Sequence, residues 1–144
     1  MDPPFHYVRL TTFCYATEYK DRVRKALSFI AYGSPDATGV EEETIEGQFG
    51  DDILVMHIRL ECSRDIRALS RRVLPLLSPD DVEPKVDDKW FFHLRFDKEA
   101  AFHGNLDLSE GANVVTLKGK IQVYPASRER AVACLREYVV ANNN

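Results

Sequence analysis

Residues 89–108 read KWFFHLRFDKEAAFHGNLDL and carry the most constraining pattern in the chain. Residues 90–97 alternate between apolar and mixed side chains, as expected for a strand with one buried face. The apolar side of this segment comprises Trp90, Phe92, Leu94 and Phe96. Residues 97–102 favour a single helical turn, and residues 103–105 are a turn signal before residues 106–108 resume the alternation. We therefore predict a strand, a helical turn and a return strand.

The rest of the chain alternates further strands with amphipathic helices. We predict strands at residues 5–16, 40–49, 53–60 and 114–124, of which the second and third form a hairpin. Helices are predicted to begin after N-caps at Thr17, Ser63 and Ser127. The buried stripe of the second helix is predicted to comprise Ile66, Leu69, Val73 and Leu76, and that of the third Ala131, Cys134 or Leu135, Tyr138 and Val139. Residues 78–88 are polar and contain proline, which indicates a loop or a short extra turn.

Three amphipathic helices need a sheet face on which to bury their apolar stripes. With no internal repeat or linker in the chain, the order of elements predicts an α+β fold. The expected architecture is a two-layer sandwich, with a mostly antiparallel sheet and three helices on one face. The length of 144 residues suits a single domain over residues 1–144. The second sheet face is then left open to water or to a partner.

Composition limits the class of protein. The chain is 44% hydrophobic and 29% charged, which is ordinary for a globular protein in water. No apolar run approaches the roughly 18 residues of a membrane span, and residues 1–4 lack the features of a signal peptide. We expect a cytoplasmic protein with no membrane partner. Cys14, Cys62 and Cys134 lie far apart without a C-x-x-C motif, so we predict no metal site and no cofactor.

The charge pattern leaves nucleic-acid binding open. A formal net charge of −4 argues against binding through bulk positive charge. Charge is nevertheless separated by region, because residues 41–46 and 80–88 are acidic whereas residues 22–25 and 64–72 are basic. The strand positions assigned to the open sheet face are poor in acids. They comprise Tyr7, Arg9, Thr11, His57, Arg59, Phe91, His93, Arg95, Lys118, Lys120, Gln122 and Tyr124.

An open sheet face that carries aromatic rings and cations is typical of single-stranded RNA binding, because bases stack on the rings while Lys and Arg bind the phosphates. We predict that Tyr7 and Phe91 stack on bases. The predicted phosphate contacts are Arg9, Arg59, Arg95, Lys118 and Lys120, with Lys98 at the edge of the site. The phase of the first strand stays open at this point, since a one-residue slip reverses its faces.

Three other interpretations compete with RNA binding. Exposed strands carry Lys, Arg and Thr for solubility and to protect sheet edges. The open face also suits a protein partner or a homodimer, with Tyr7, Phe91 and Tyr124 as anchors. An enzyme is the third alternative, with His103, Asp97 and Lys98 as an acid–base group. Because no nucleotide-binding loop, serine elbow or metal spacing is present in the sequence, we predict a protein that is not an enzyme.

Four segments resemble a known family of archaeal RNA-binding proteins that were once described as predicted exosome subunits. They are HYVRLTTFCYATEYKDRVRKAL, EEETIEGQFGDDILVMHIRL, RFDKEAAFHGNLDL and VTLKGKIQVYPASRERAV. The resemblance extends in order over residues 7–138. It implies an α+β fold similar to that of the ribosomal protein that docks on the small rRNA of the large subunit. It also implies RNA binding, a link to RNA processing or decay, and exosome-related proteins as partners.

Overall fold

The computed structural model of the protein describes residues 3–35, 39–47, 50–123 and 127–142. Its strands are β1 (Phe5–Cys14), β2 (Glu41–Glu46), β3 (Asp52–Leu60), β4 (Phe91–Asp97) and β5 (Val114–Ile121). Its α-helices are α1 (Lys20–Tyr32), α2 (Ser63–Val73), α3 (Lys98–Phe102) and α4 (Arg128–Asn142). Three 3₁₀ turns, Leu74–Leu76, Pro79–Asp81 and Glu83–Lys85, lie between α2 and β4.

The five strands form one sheet in the order β2-β3-β1-β5-β4. The predicted hairpin is present, with β2 and β3 antiparallel and paired from Glu41 opposite His57 to Glu46 opposite Asp52. The predicted fold class, an α+β two-layer sandwich with an antiparallel sheet, is confirmed. Buried helix stripes and the buried sides of β1, β3, β4 and β5 supply its core, whereas β2 is exposed along its whole length.

By internal contacts the chain divides into two compact units. Unit 1 contains the residues up to Val8 together with Leu60–Leu94 and the residues from Lys118 onward. Unit 2 contains Arg9–Arg59 and Arg95–Leu117.

The core of unit 1 is centred on an aromatic pair. The rings of Phe5 and Phe92 stack with centroids 5.8 Å apart, and Gly119 lies against the Phe5 ring without a side chain of its own. Helices α2 and α4 bury Ile66, Leu69, Val73, Ala131, Leu135 and Val139. This selects Leu135 over Cys134 for the α4 stripe, since Cys134 and Tyr138 are only half-buried.

Two predictions for α2 need correction. Leu76 is exposed rather than buried, because the α-helix ends at Val73 and the chain tightens into a 3₁₀ turn that buries Leu74 instead. The N-cap is Cys62 rather than Ser63, which is the first helical residue, and the cap makes no side-chain hydrogen bond.

The predicted loop at residues 78–88 contains two 3₁₀ turns that are tied to α4. Arg136 donates from Nε to the Pro79 carbonyl at 3.2 Å and forms an ion pair with Glu83 at 3.2 Å. Arg128 donates to the carbonyls of Glu83 and Val86 at 3.0 and 3.1 Å. These bonds, together with burial of Val82, give the segment a defined path.

Unit 2 packs α1 against α3. Helix α1 buries Val23, Ala26, Leu27 and Ile30 and ends at Gly33 in the left-handed conformation (φ 74°). The prediction that Thr17 caps α1 is wrong. The helix begins at Lys20 behind Tyr19, because the preceding residues follow a separate turn in which Glu18 N–H donates to the Tyr15 carbonyl.

Candidate nucleic-acid interface

Unit 1 contains a lysine–aromatic cluster formed by Tyr7, Trp90, Phe91, Lys118 and Lys120. The Nζ atoms of Lys118 and Lys120 lie 4.2 and 4.5 Å from the centroid of the Phe91 ring. Lys120 Nζ is also 5.2 Å from the Trp90 ring. Tyr7 packs edge-on against Phe91, with centroids 6.3 Å apart and an interplanar angle of 62°. The cluster thus places two positive charges over one aromatic ring.

Strand alternation explains why both lysines lie on the side away from the core. Leu117, Gly119 and Ile121 of β5 are buried, so Lys118 and Lys120 between them point the other way. On β4, Phe92 is buried whereas Phe91 is half-exposed. The predicted phases of β4 and β5 are therefore confirmed for these residues.

A tight turn before β4 sets the position of Phe91. The Asp87 carboxylate accepts hydrogen bonds from the amides of Lys89 and Phe91 at 2.8 and 2.9 Å, and from His93 Nε2 at 2.8 Å. Within this turn Trp90 adopts φ 65°, a conformation that is rare for a bulky residue. The Asp87 side chain therefore holds the backbone that positions two of the three rings, those of Trp90 and Phe91.

The hydrogen bonds to Asp87 also change its acidity. Partial burial acts to raise the pKa of Asp87, but the bonds from His93 and from the Phe91 and Lys89 amides outweigh it and lower the pKa to about 2. The carboxylate consequently stays ionised at any physiological pH. Lys120 adds a further tie to the same turn, because its Nζ donates to the Lys89 carbonyl at 2.8 Å.

Sequence reasoning missed two parts of this site. Trp90 was expected on the apolar side of a strand, but it precedes β4 and its ring meets Lys120 instead. Asp87 was grouped only with an acidic loop. The signal that identifies Asp87 is its tendency to accept hydrogen bonds from amides a few residues ahead, which is what makes Asp a turn former.

Three predicted phosphate contacts, Arg9, Arg59 and Arg95, belong to unit 2. Each is exposed and lies between two buried neighbours on its strand. The burial pattern of β1 also fixes the phase that the sequence left open, because Val8 and Leu10 are buried on either side of exposed Arg9. Arg95 donates to the Gly111 carbonyl at 2.7 Å. The roles of these arginines stay predictions.

Lys98 occupies a different environment from the one expected. It is only 5% exposed, and its ammonium group donates to the Phe13 carbonyl at 2.6 Å and to both carboxylate oxygens of Glu18 at 3.0 and 3.1 Å. A lysine with these bonds holds unit 2 together rather than offering a charge to solvent.

The residues of the acid–base alternative have separate partners. Asp97 caps α3 by accepting from the Ala100 amide at 2.8 Å, whereas His103 pairs with Glu99 at 3.1 Å. Lys98 is bonded to Glu18. Tyr124, expected as an interface anchor, lies outside the described residues.

The described ranges contain neither a metal-binding cluster nor a membrane-spanning helix. Among them, no three His, Cys, Asp or Glu side chains are grouped so that they could hold a metal ion. No helix within the described residues is long and apolar enough to cross a membrane. Burial raises the pKa of the Cys14 and Cys134 thiols, whereas Cys62 is exposed.

Comparison with known proteins settles the family. A family model described as RNA binding matches residues 7–121, which are well over half of the chain. The chain belongs to this RNA-binding family. The resemblance noted in the sequence is thus confirmed.

Three similar proteins cover nearly the whole chain. RNA-binding protein PAB1135 of Pyrococcus abyssi is 35% identical in an alignment 143 positions long that covers 93% of each protein. The solved structure of Mth689, a DUF54 protein from Methanothermobacter thermautotrophicus, has a TM-score of 0.82 at 30% identity and covers 94% of this chain and 98% of that one. AF2318 from Archaeglobus fulgidus, at 24% identity and a TM-score of 0.80, covers 93% of this chain and 99% of that one and shares the fold.

Proposed function

We propose that this chain binds single-stranded RNA through the lysine–aromatic cluster of unit 1 and catalyses no reaction on it. The observation that carries the proposal is the approach of Lys118 and Lys120 to one ring, at 4.2 and 4.5 Å. Membership of an RNA-binding family supports the choice of ligand. The groups in the cluster are ammonium groups and aromatic rings, which bind charge and stack.

The cluster suits RNA because it combines two kinds of contact within a few ångströms. Bases of any sequence stack on exposed rings, and each such stack contributes roughly 1–3 kcal/mol. The cation–π interaction of each lysine with a ring is worth about 0.5–1 kcal/mol at an exposed site. The two ammonium groups are therefore partly ordered before RNA binds. A base that stacks on Phe91 takes the place of the ammonium groups over the ring, and Lys118 and Lys120 then reach the phosphates that flank this base.

We further propose that Arg9, Arg59 and Arg95 meet additional phosphates. Their exposure on alternate strand positions supports this role. Local rather than bulk charge carries the interaction, because the chain as a whole has a net charge of −4. Lys98 is left out of this set, since its ammonium group is bonded to Glu18 and Phe13.

The test is a titration of the double variant Lys118→Ala/Lys120→Ala with a fluorescent single-stranded RNA at several salt concentrations. Loss of two phosphate contacts should weaken binding and make the slope of log K against log [salt] shallower by about 1.4, at 0.7 per contact. A matched control is Lys25→Ala/Lys85→Ala, which removes the same charge from lysines outside the cluster. Equal behaviour of the two double variants would exclude the cluster as the binding site.

A finer proposal concerns the setting in which RNA is bound. We propose that the chain is an accessory to RNA processing, because it resembles proteins that were once described as predicted exosome subunits. Addition of the purified chain to an archaeal exosome should change the rate at which labelled RNA is degraded, while the chain alone leaves the RNA intact. Cleavage by the chain alone would contradict the non-catalytic role. A dimer that hides the cluster, detected by light scattering, would favour an interaction module instead.

A further inference from the structure

Unit 2 carries an aromatic patch formed by Phe13, Tyr15 and Tyr19, outside the cluster described above. Their side chains are 42%, 43% and 71% exposed. Phe13 in β1 and Tyr15 just after the strand have ring centroids 6.3 Å apart. Tyr19 lines a pocket together with Lys98, whose Nζ is close to the Tyr15 ring. Exposed rings this close together need a physical reason, because water does not solvate their faces well.

The backbone that presents the patch is held by a buried ion pair. Lys98 donates to the Phe13 carbonyl and to Glu18, and its Nζ lies 5.5 Å from the Tyr15 ring. Glu18 in turn accepts from the Tyr15 amide at 3.2 Å. Since Lys98 is almost fully buried, these bonds are shielded from water and fix residues 13–18. The rings are therefore positioned before any ligand arrives.

A pocket of about 190 Å³ continues the patch on one side. It is lined by Thr17, Glu18, Tyr19, Arg22, Lys98 and Phe102, among others. The guanidinium of Arg22 stacks over the Phe102 ring at 4.4 Å and supplies an exposed positive charge at this side. A second hollow, which Tyr15 lines, also contains Asp51 and Asp52. The carboxylates of the first pocket, Glu18 and Glu99, are paired with Lys98 and His103. Arg22 is therefore the group of that pocket that attracts a polyanion, whereas the aspartates of the second hollow repel one.

We infer that this patch is a second RNA contact surface and that it takes unpaired nucleobases, with Arg22 at a neighbouring phosphate. The inference rests on the proposed function, which it extends from the cluster of unit 1 to unit 2. Exposed, pre-positioned rings beside a cation are the arrangement that single-stranded nucleic acid uses, because a base has an aromatic face whatever its sequence. Paired bases of a duplex are stacked on each other and offer no such face.

Two double variants of Tyr15 and Tyr19 separate the contribution of base stacking from other effects. Tyr15→Leu/Tyr19→Leu keeps apolar volume beside Lys98 but removes both rings, whereas Tyr15→Phe/Tyr19→Phe keeps the rings. Leu76→Ala is the control for loss of an exposed apolar side chain in unit 1, where Leu76 is 40% exposed. Each variant is titrated with fluorescent single-stranded RNA and with a duplex of the same composition, at several salt concentrations, and melted to verify folding.

The leucine pair should weaken single-stranded binding by about 5- to 150-fold for each stack lost. The salt slope should stay at the wild-type value, because rings release no counterions. The phenylalanine pair and Leu76→Ala should bind like wild type, and duplex binding should be unchanged in all three. Wild-type affinity in the folded leucine pair, or an equal loss in the phenylalanine pair, would overturn the inference.

Crosslinking gives an independent readout that does not depend on variants. Irradiation of wild-type protein with 4-thiouridine-substituted single-stranded RNA should attach label to peptides containing Tyr15 or Tyr19. If label is confined to the peptides of Phe91 and Lys118, the proposed function stands and the second surface does not exist. If RNA neither binds nor crosslinks at all, both proposals fail, and a protein partner becomes the occupant to seek.

Discussion

Substitution of Gly119 by alanine tests the packing beneath the lysine–aromatic cluster. An added Cβ would lie 2.8 and 2.9 Å from Phe5 Cδ1 and Cε1 and 3.1 Å from Cγ. Carbon atoms in contact normally stay about 3.5–4.0 Å apart, so the Phe5 ring would have to move by roughly 0.7–1 Å. It cannot move easily, because Phe5 is 1% exposed and stacks on Phe92.

The expected loss of stability follows from two opposing effects. Overpacking a buried site costs about 1–3 kcal/mol, whereas replacing glycine in an ordinary backbone conformation returns roughly 0.4–1 kcal/mol through the unfolded chain. Gly119→Ala should therefore lower the free energy of unfolding by about 1–2 kcal/mol. For a chain of this length, that corresponds to a fall in melting temperature of roughly 3–8 °C.

The assay is thermal and urea unfolding followed by circular dichroism, with a double-mutant cycle. Gly119→Ala should cost less in a Phe5→Leu background, because the shorter side chain gives the new methyl group room. Gly111→Ala is the matched control, since its Cβ would meet only the Ser109 Oγ at 3.3 Å on the surface, and its effect should stay within about 0.5 kcal/mol. Unchanged stability of Gly119→Ala, or full additivity with Phe5→Leu, would refute the packing account.

Three further substitutions test the interactions that shape the two surfaces. Asp87→Asn should destabilise the protein by about 1 kcal/mol at neutral pH, allowing for solvent screening of a partly exposed carboxylate. The pKa of Asp87 in the folded protein is about 2, below the usual 3.8, so its contribution to stability is present above pH 4 and is lost as the pH falls toward 2. The difference in free energy of unfolding between variant and wild type, measured in urea titrations, should therefore vanish over that range. Lys98→Met should cost roughly 2–3 kcal/mol by leaving Glu18 without its partner, whereas equal stability in denaturant would show that the pair is dispensable. Arg136→Ala should increase proteolysis at residues 79–86 without changing RNA binding, as measured by limited digestion and mass spectrometry, and an unchanged digestion pattern would disprove the tie to α4.

Local pattern was enough to predict the part of the site that follows from strand alternation. Phe91, Lys118 and Lys120 were placed on the outward side because their neighbours are apolar, and burial in the structure agrees. The position of Trp90 could not be read in the same way, since it depends on a backbone turn stabilised by the Asp87 side chain. Alternation carries no information about such a turn.

The sequence also gives no sign that the charged residue Lys98 is buried. Lys98 looks like a surface lysine at the start of a short helix, and its partner Glu18 lies 80 residues earlier in the chain. Only the packing of α3 against α1 brings the two side chains together. The aromatic patch could not be predicted for a similar reason, because Phe13 belongs to a strand whose faces are known only from burial and Tyr15 directly follows that strand.

The chain contains one tryptophan, and that residue lies in the lysine–aromatic cluster. Its indole ring is 5.2 Å from the Lys120 ammonium, so any ligand that draws this lysine away changes the electric field at the fluorophore. The tryptophan is therefore an optical reporter at the lysine–aromatic cluster, whereas the emission of the aromatic patch comes from tyrosine. Tryptophan emission, excited where tyrosine does not absorb, would follow occupancy of the cluster in unlabelled protein, while a tagged oligonucleotide would report total binding.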